Sequence, residues 1–317
     1  MIIRFGFVAN SLSLWDVTPS KTVTFTRFQK LPVQERMDKL LSVTGHNLDH
    51  TLRILYFIVA HGIEIYRFSS ALVPLATHPE VLWDFITPFR FKWQEIGDFV
   101  KKHRLRVSFH PSQFTLFTSP KQTVTKNAVQ NMKYHYKMLE AMGIADEARM
   151  NIHIGGTYGD KESAIQQFYN NMKQLPDSVK QRMTLENDDK TYNAMETIEV
   201  CEKVGIPFVF DYHHYMANTG GYSIEEILPY VFDMWKNDAF PPMLHLSSPK
   251  SEKQYRAHAD YLDIEFIKPL LSLLKDFGED VDIMIEAKAK DLALLKLVED
   301  LSRIRGVKRI RGGAIQL

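Results

Sequence analysis

Short apolar, β-rich runs alternate with amphipathic stretches along the whole chain, and that alternation leaves few folds open. The runs are Ile2 to Val8, Ile63 to Phe68, Leu105 to His110, Met150 to His153, Met183 to Glu186, Pro207 to Asp211, Met243 to His245 and Val281 to Glu286. Between them apolar residues recur three and four apart, as in Leu52, Leu55, Tyr56 and Val59, the spacing of one helix face. The expected helices cover 48–61, 78–102, 126–142, 161–174, 193–204, 224–235, 261–277 and 291–304. Gly143 and Gly205 sit where helix C-caps are needed ahead of the next strand. Eight strand–helix units with no spare strand predict one α/β domain over residues 1–317, a single (β/α)8 TIM barrel. A doubly wound sheet is the rival, but it would gather its ligands at one switch point. The long, Thr-rich stretch Trp15 to Gln34 reads as an extended first loop on the active face.

Composition narrows the function without naming it. Lys and Arg total 39 against 38 Asp and Glu, so any affinity for nucleic acid must come from a local patch. The one cysteine, Cys201, excludes an internal disulfide and a Cys-rich zinc module, and reads as core filler within a helix. No secretory signal fits the N-terminus, and no apolar run approaches the ~18 residues of a membrane span. A cytoplasmic monomer with no membrane contact is expected.

The chemistry lies at the ends of the runs. His110, His153, Glu186, Asp211 with His214, His245 with His258 beyond it, and Glu286 close or follow six of them. One mouth of a barrel collects such residues from all round the chain. Either glutamate alone could close a salt bridge across the rim. Two on different strands, joined by Asp211 and several histidines, point to metal coordination, because a charge ending an apolar run must be paired, ligated or solvated. Nitrogen and oxygen donors without thiolate suit Zn, Mn or Fe better than Mg. His46, His50, His61, His103 and His135 lie in or beside helices and read as packing or surface residues, and His213 is a weaker ligand candidate than His214.

Above the metals, the loop Pro111-Ser-Gln-Phe-Thr-Leu-Phe117 either tucks under its neighbours or exposes Gln113 and Phe114 as a probe that stacks on bases and bonds their edges. Arg67, Lys250, Lys253, Arg256, Lys288 and Lys290 stand where they could meet phosphates. The later basic cluster, Arg303 to Arg311, reads as a solvated or salt-bridged terminus.

The stretches His110-Pro-Ser-Gln-Phe, Asn151-Ile-His-Ile-Gly-Gly, Thr184-Leu-Glu-Asn-Asp-Asp, Asp211-Tyr-His-His, His245-Leu-Ser-Ser-Pro-Lys, His258-Ala-Asp-Tyr and Ile285-Glu-Ala-Lys resemble the UV damage endonuclease family. The resemblance runs from Phe5 to Arg309. It implies a TIM barrel similar to endonuclease IV and xylose isomerase. The implied reaction nicks double-stranded DNA immediately 5′ of cyclobutane dimers and 6-4 photoproducts, leaving a 3′-hydroxyl and a 5′-phosphate. It further implies a cluster of about three divalent ions, with Mn²⁺ expected and Zn²⁺ or Mg²⁺ as alternatives. His110, His153, Glu186, Asp211, His214, His245, His258 and Glu286 match the family's metal ligands, with Glu186, Glu286 and Lys288 as catalytic candidates. Asn10, His78, Gln113, Phe114 and Lys250 are the candidate DNA contacts. The chain departs from the family at Met243, where a modified lysine is common, and at Phe114 and Phe7, where tyrosine occurs. Rival readings are an abasic-site endonuclease, a metal-dependent sugar isomerase and a non-catalytic lesion binder.

Overall fold

In the computed structural model, which describes residues 1–317, the alternating runs become a closed parallel barrel. Its strands are β1 (Ile2–Val8), β2 (Ile65–Arg67), β3 (Arg106–Phe109), β4 (Arg149–His153), β5 (Met183–Glu186), β6 (Phe208–Asp211) and β7 (Met243–Leu246). A short antiparallel hairpin, β8 (Pro249–Ser251) and β9 (Gln254–His258), follows, and then the eighth barrel strand, β10 (Val281–Ile285). The strands pair in chain order, and β10 closes the ring on β1, with Ile3 opposite Val281 and Phe7 opposite Ile285. A terminal hairpin of β11 (Lys308–Arg311) and β12 (Ala314–Gln316) adds to the lower half of β1, on the edge whose upper half belongs to β2. The basic cluster of the C-terminus therefore lies in and around this hairpin, where Arg311 pairs with Glu64.

Strand alternation divides the apolar residues between two cores. The larger, 74 buried residues, fills the space between strands and helices and takes the outward faces of β1 (Ile3, Phe5, Phe7). Inside the ring only Ile65, Val209, Trp235, Met243 and Met284 form a small apolar layer. Below it Asp282 pairs with Arg4 and Arg106, both at 2.6 Å, and the Arg106 guanidinium lies 4.9 Å from the Trp235 ring centroid. The barrel is thus plugged at its amino-terminal end by a buried ion cluster under a lid of Met and Trp. The carboxyl-terminal end is left to carry polar groups.

Several local expectations hold. Gly143 and Gly205 end their helices in the left-handed conformation, at φ 68° and 70°, a backbone shape that costs glycine little. Cys201 is fully buried in the helix Ala194–Val204. Two helices differ from expectation. The first spans Val33–Ala60, so its polar N-terminal half falls partly in the expected first loop, which also contains a short helix, Phe25–Gln29. The second begins only at Arg90, behind a 3-10 turn at Thr87–Phe89. Pro79 and Pro88 interrupt residues 78–89, and their apolar side chains pack as a loop, with Phe85 5.5 Å from Tyr134.

Candidate metal centre

Residues two apart on a strand share a face, so the inward rows of β3, β4, β5, β6, β7 and β10 lead to candidate ligands at the same mouth. Glu186 stands at the middle. Its Oε2 lies 3.2 Å from His110 Nε2 and 3.1 Å from His245 Nδ1, and its Oε1 lies 3.4 Å from His214 Nδ1. His245 Nδ1 is also 3.3 Å from Glu286 Oε1. Two groups have ligand atoms all within 4.8 Å of one another: His110, His153 and Glu186, and Glu186, Asp211, His245 and Glu286. Glu186 belongs to both, as a carboxylate bridging neighbouring cations must.

The donor set fits a metal cluster for a second reason. His153 Nδ1, Glu186 Oε1, Asp211 Oδ2 and His245 Nδ1 are buried without a hydrogen-bond partner. Buried polar atoms are nearly always bonded, and four such exceptions converging on one centre are what coordinating cations would satisfy. His258 donates Nδ1 to the Glu286 carbonyl at 3.2 Å, which leaves its Nε2 free to ligate, and His110, whose Nδ1 meets the Pro111 carbonyl at 3.0 Å, turns its Nε2 toward Glu186. His214 lies 3.7 Å from Asp211, and its ring centroid is 6.1 Å from that of His258. All eight predicted ligands therefore meet at one end of the barrel, Glu186, Asp211 and His245 buried beneath the others.

The charges at this centre offset one another. Burial alone would raise the Glu186 carboxyl, but His245 and His153, with a hydrogen bond from His110 and the His214 ring 3.4 Å away, hold it well below the usual carboxylate range. Burial likewise opposes the charged form of Glu286, yet Arg67 and His245 outweigh it and lower this carboxyl too. Burial works against the His214 imidazolium, but Asp211 and Glu186 push it up to about 11. Cations would take over the compensating role that these protons play.

Above the cluster opens a cleft of about 810 Å³, lined by His110, His153, His214, His258 and Glu286 and by Gln113, Lys190 and Arg256. The loop after β3 exposes Gln113 and Phe114 and buries Phe117, so it has a projecting tip on a packed base. Gln113 faces the metal cleft, whereas Phe114, 72% exposed, borders a separate hollow with His78. His78 stacks on Phe25 at 3.8 Å between centroids, and Asn10 accepts from Ser20 Oγ at 3.4 Å, so both also organise the first two loops. Lys250 is exposed on β8.

Of the cations expected to meet phosphates, two are paired within the protein. Arg67 is buried at the wall of the cleft and makes a 2.5 Å ion pair with Glu286, which ties it to the candidate metal centre. Arg256 is tied to Asp189 at 2.5 Å. Lys288 is exposed, and its main chain alone is engaged, donating to Ala259 O. The lysine whose charge is coupled to Glu286 is Lys290, lowered by burial and by Arg67. His213 bonds Ser247 Oγ at 2.8 Å and Tyr255 O at 2.6 Å through its two ring nitrogens, so it has no lone pair left for a metal.

Two residues at the site escaped the sequence reading. Asn151 donates Nδ2 to Glu186 Oε2, and its Oδ1 accepts from Thr184 Oγ1 at 2.8 Å. Asn151 and Thr184 are buried, and each lies two residues before a ligand on its own strand. Their partners in the same layer, Met243 and Val209, are apolar. Met243 thus puts a thioether, without charge, in that layer, and Asn151 is its polar group that bonds Glu186.

The family model described as UV-endonuclease UvdE matches residues 3–317. Two proteins named UV DNA damage endonuclease, from Bacillus velezensis and Bacillus pumilus, are 59% and 60% identical over 317 residues, covering 100% of this chain and 99% of theirs. The crystal structure of SacUVDE superposes with a TM-score of 0.84 at 28% identity, over 95% of this chain and 100% of that one. AsfvAP:AG shares the fold at a TM-score of 0.56 and 13% identity, covering 90% of this chain and 93% of that one. The full-length match and the barrel assign the chain to one family: it belongs to the UV-endonuclease UvdE family.

Proposed function

We propose that this protein is a metal-dependent DNA repair endonuclease that hydrolyses the phosphodiester immediately 5′ of ultraviolet photoproducts, leaving a 3′-hydroxyl and a 5′-phosphate. The observation that carries this reading is the double ligand group sharing Glu186 at the floor of an open, polar cleft. When bound, divalent cations would activate water for in-line attack and neutralise charge on the phosphate and leaving oxygen. His110, His153, His214, His245, His258, Asp211, Glu186 and Glu286 would hold them. Arg67 keeps Glu286 ionised and fixed through their ion pair, and Asn151 does the same for Glu186 from below. Gln113 and Phe114 extend from the loop after β3 toward the duplex. Phe114 supplies a stacking face and Gln113 a hydrogen-bonding edge. A photoproduct already weakens pairing and stacking, so distorting the helix there costs least. Mn²⁺ is the proposed metal.

The test is a nicking assay with Mn²⁺ on a duplex carrying one site-specific thymine dimer, beside undamaged and abasic duplexes. A cut just 5′ of the dimer, lost in Glu186→Gln, is expected. Cleavage of the abasic duplex alone would replace this reading with an abasic-site activity, and cleavage of none would remove DNA as the substrate.

A further inference from the structure

We propose that Trp15 is a stacking contact for a nucleobase of the DNA, outside the catalytic cleft, at the β1–β10 side of the barrel mouth. The proposal rests on the DNA reading above and adds a contact surface to it. A single exposed apolar residue is ordinary on a protein surface; what distinguishes Trp15 is how its loop is held. Asp291, fully buried, accepts from Ser11 Oγ at 2.9 Å, Leu12 N–H at 2.6 Å and Ser13 N–H at 3.1 Å. Burying a carboxylate is costly unless it is bonded in this way. Its partners here are three consecutive residues of one loop. On the far side of Trp15, Val17 is buried and the Thr18 N–H donates to His50 Nδ1 at 3.0 Å. Asp16 adopts a left-handed φ of 51°.

The indole is therefore bracketed on both sides, yet it remains 92% exposed, with Leu12 beside it in sequence at 53%. So exposed a side chain contributes little to the core, whereas its rigid mounting lowers the ordering cost of a stacking contact. Position supports a nucleic-acid partner. The loop follows β1 and is clamped to the residue five beyond Glu286, so it belongs to the end of the barrel that bears the ligands. Lys288 is exposed on the same clamping segment and offers a phosphate a nearby positive charge. Base–aromatic stacking tolerates any sequence, since every base has a π-face.

The protein has four tryptophans, and Trp83, Trp93 and Trp235 are at most 6% exposed. Acrylamide-accessible fluorescence therefore comes from Trp15. The experiment titrates the full-length protein, in chelator to prevent nicking, with a fluorescein-labelled dimer-containing duplex. Anisotropy reports binding, and acrylamide quenching reports Trp15. Loss of the accessible component on binding is expected, with Trp15→Ala weakening the affinity roughly tenfold or more and Trp15→Phe retaining most of it. In nicking assays with metal the effect of Trp15→Ala falls on KM more than on kcat. Binding by anisotropy with unaltered quenching, and equal affinity in Trp15→Ala, overturns the proposal while leaving the DNA reading intact. No binding of any duplex by the wild type overturns both.

Discussion

Replacing Arg67 by methionine should destabilise the metal-free protein far more than the metal-loaded one. The pair Arg67–Glu286 closes at 2.5 Å with side chains 11% and 12% exposed. Methionine keeps the apolar stem and removes the charge, so Glu286 is left ionised beside Glu186 with His245 as its remaining close counter-charge. Breaking a buried pair in this way costs about 3–5 kcal/mol. Both residues line the open cleft, so the lower figure of that range, about 3 kcal/mol, is expected. For a chain of this size that corresponds to a melting temperature lower by roughly 6 °C. Cations bound by Glu286 would supply the missing positive charge, and with Mn²⁺ the loss should fall below half that value. Acidification tests the same reasoning. Arg67 and His245 depress the Glu286 carboxyl in the folded protein against the effect of burial. The stability it contributes is complete above the unfolded value near 4.5 and is lost as pH falls through the folded one. In chelator the gap between wild type and Arg67→Met should therefore be widest above pH 4.5 and narrow below it. Differential scanning calorimetry in chelator and in Mn²⁺, at several pH values, measures all three quantities. Equal losses with and without metal would refute the reasoning, because Arg67 would then be a packing residue and not a counter-charge for a ligand.

Two further changes probe other levels of the structure. Asn151→Asp sets a carboxylate against Glu186 Oε2 in place of a donor. Metal affinity should drop at least tenfold by isothermal titration, with Thr184→Val showing a smaller loss; unchanged affinity in Asn151→Asp would deny the positioning role. Gly97→Ala would place a Cβ 1.6 Å from Met142 O, where the helices Arg90–Lys102 and Gln122–Met142 meet. Those backbones must separate, and a loss of about 1–3 kcal/mol in chemical denaturation is expected.

The candidate ligands were legible because a charge at the end of an apolar run is a local signal. His153, Glu186, Asp211 and His245 each lie within or at the end of a buried strand, and the fold requires only that those ends share a mouth. Partners across the barrel were not legible. Arg67 and Glu286 are 219 residues apart, and their meeting depends on ring closure, which brings β10 to β1 while β2 flanks β1 on the other side. Read alone, a cation near a strand end is a phosphate contact as readily as a counter-charge. The helix boundaries failed for a different reason. Val81, Phe85 and Phe89 have helical spacing, but Pro79 and Pro88 remove main-chain donors, and burial of Trp83 and Phe85 in a loop satisfies the same pattern. Conversely, residues 34–39 form helix without an apolar face because that turn of the helix stands mostly in solvent.

Asn151 and Thr184 lie between these cases. Period-two alternation places Asn151 on the face of His153 and Thr184 on that of Glu186, so their pointing into the barrel could be read from the strands alone. Whether Asn151 meets Glu186 or a water depends on register. The parallel pairing sets Asn151 opposite Thr184 and His153 opposite Glu186, which brings the amide diagonally beneath the carboxylate of the next strand. A slip of one residue would turn Asn151 outward into the helices, where an unbonded amide is costly. The same hydrogen bonds that orient the ligand therefore also penalise the wrong register, and the sequence Met-Asn-Ile-His beside Met-Thr-Leu-Glu specifies alignment and site geometry together.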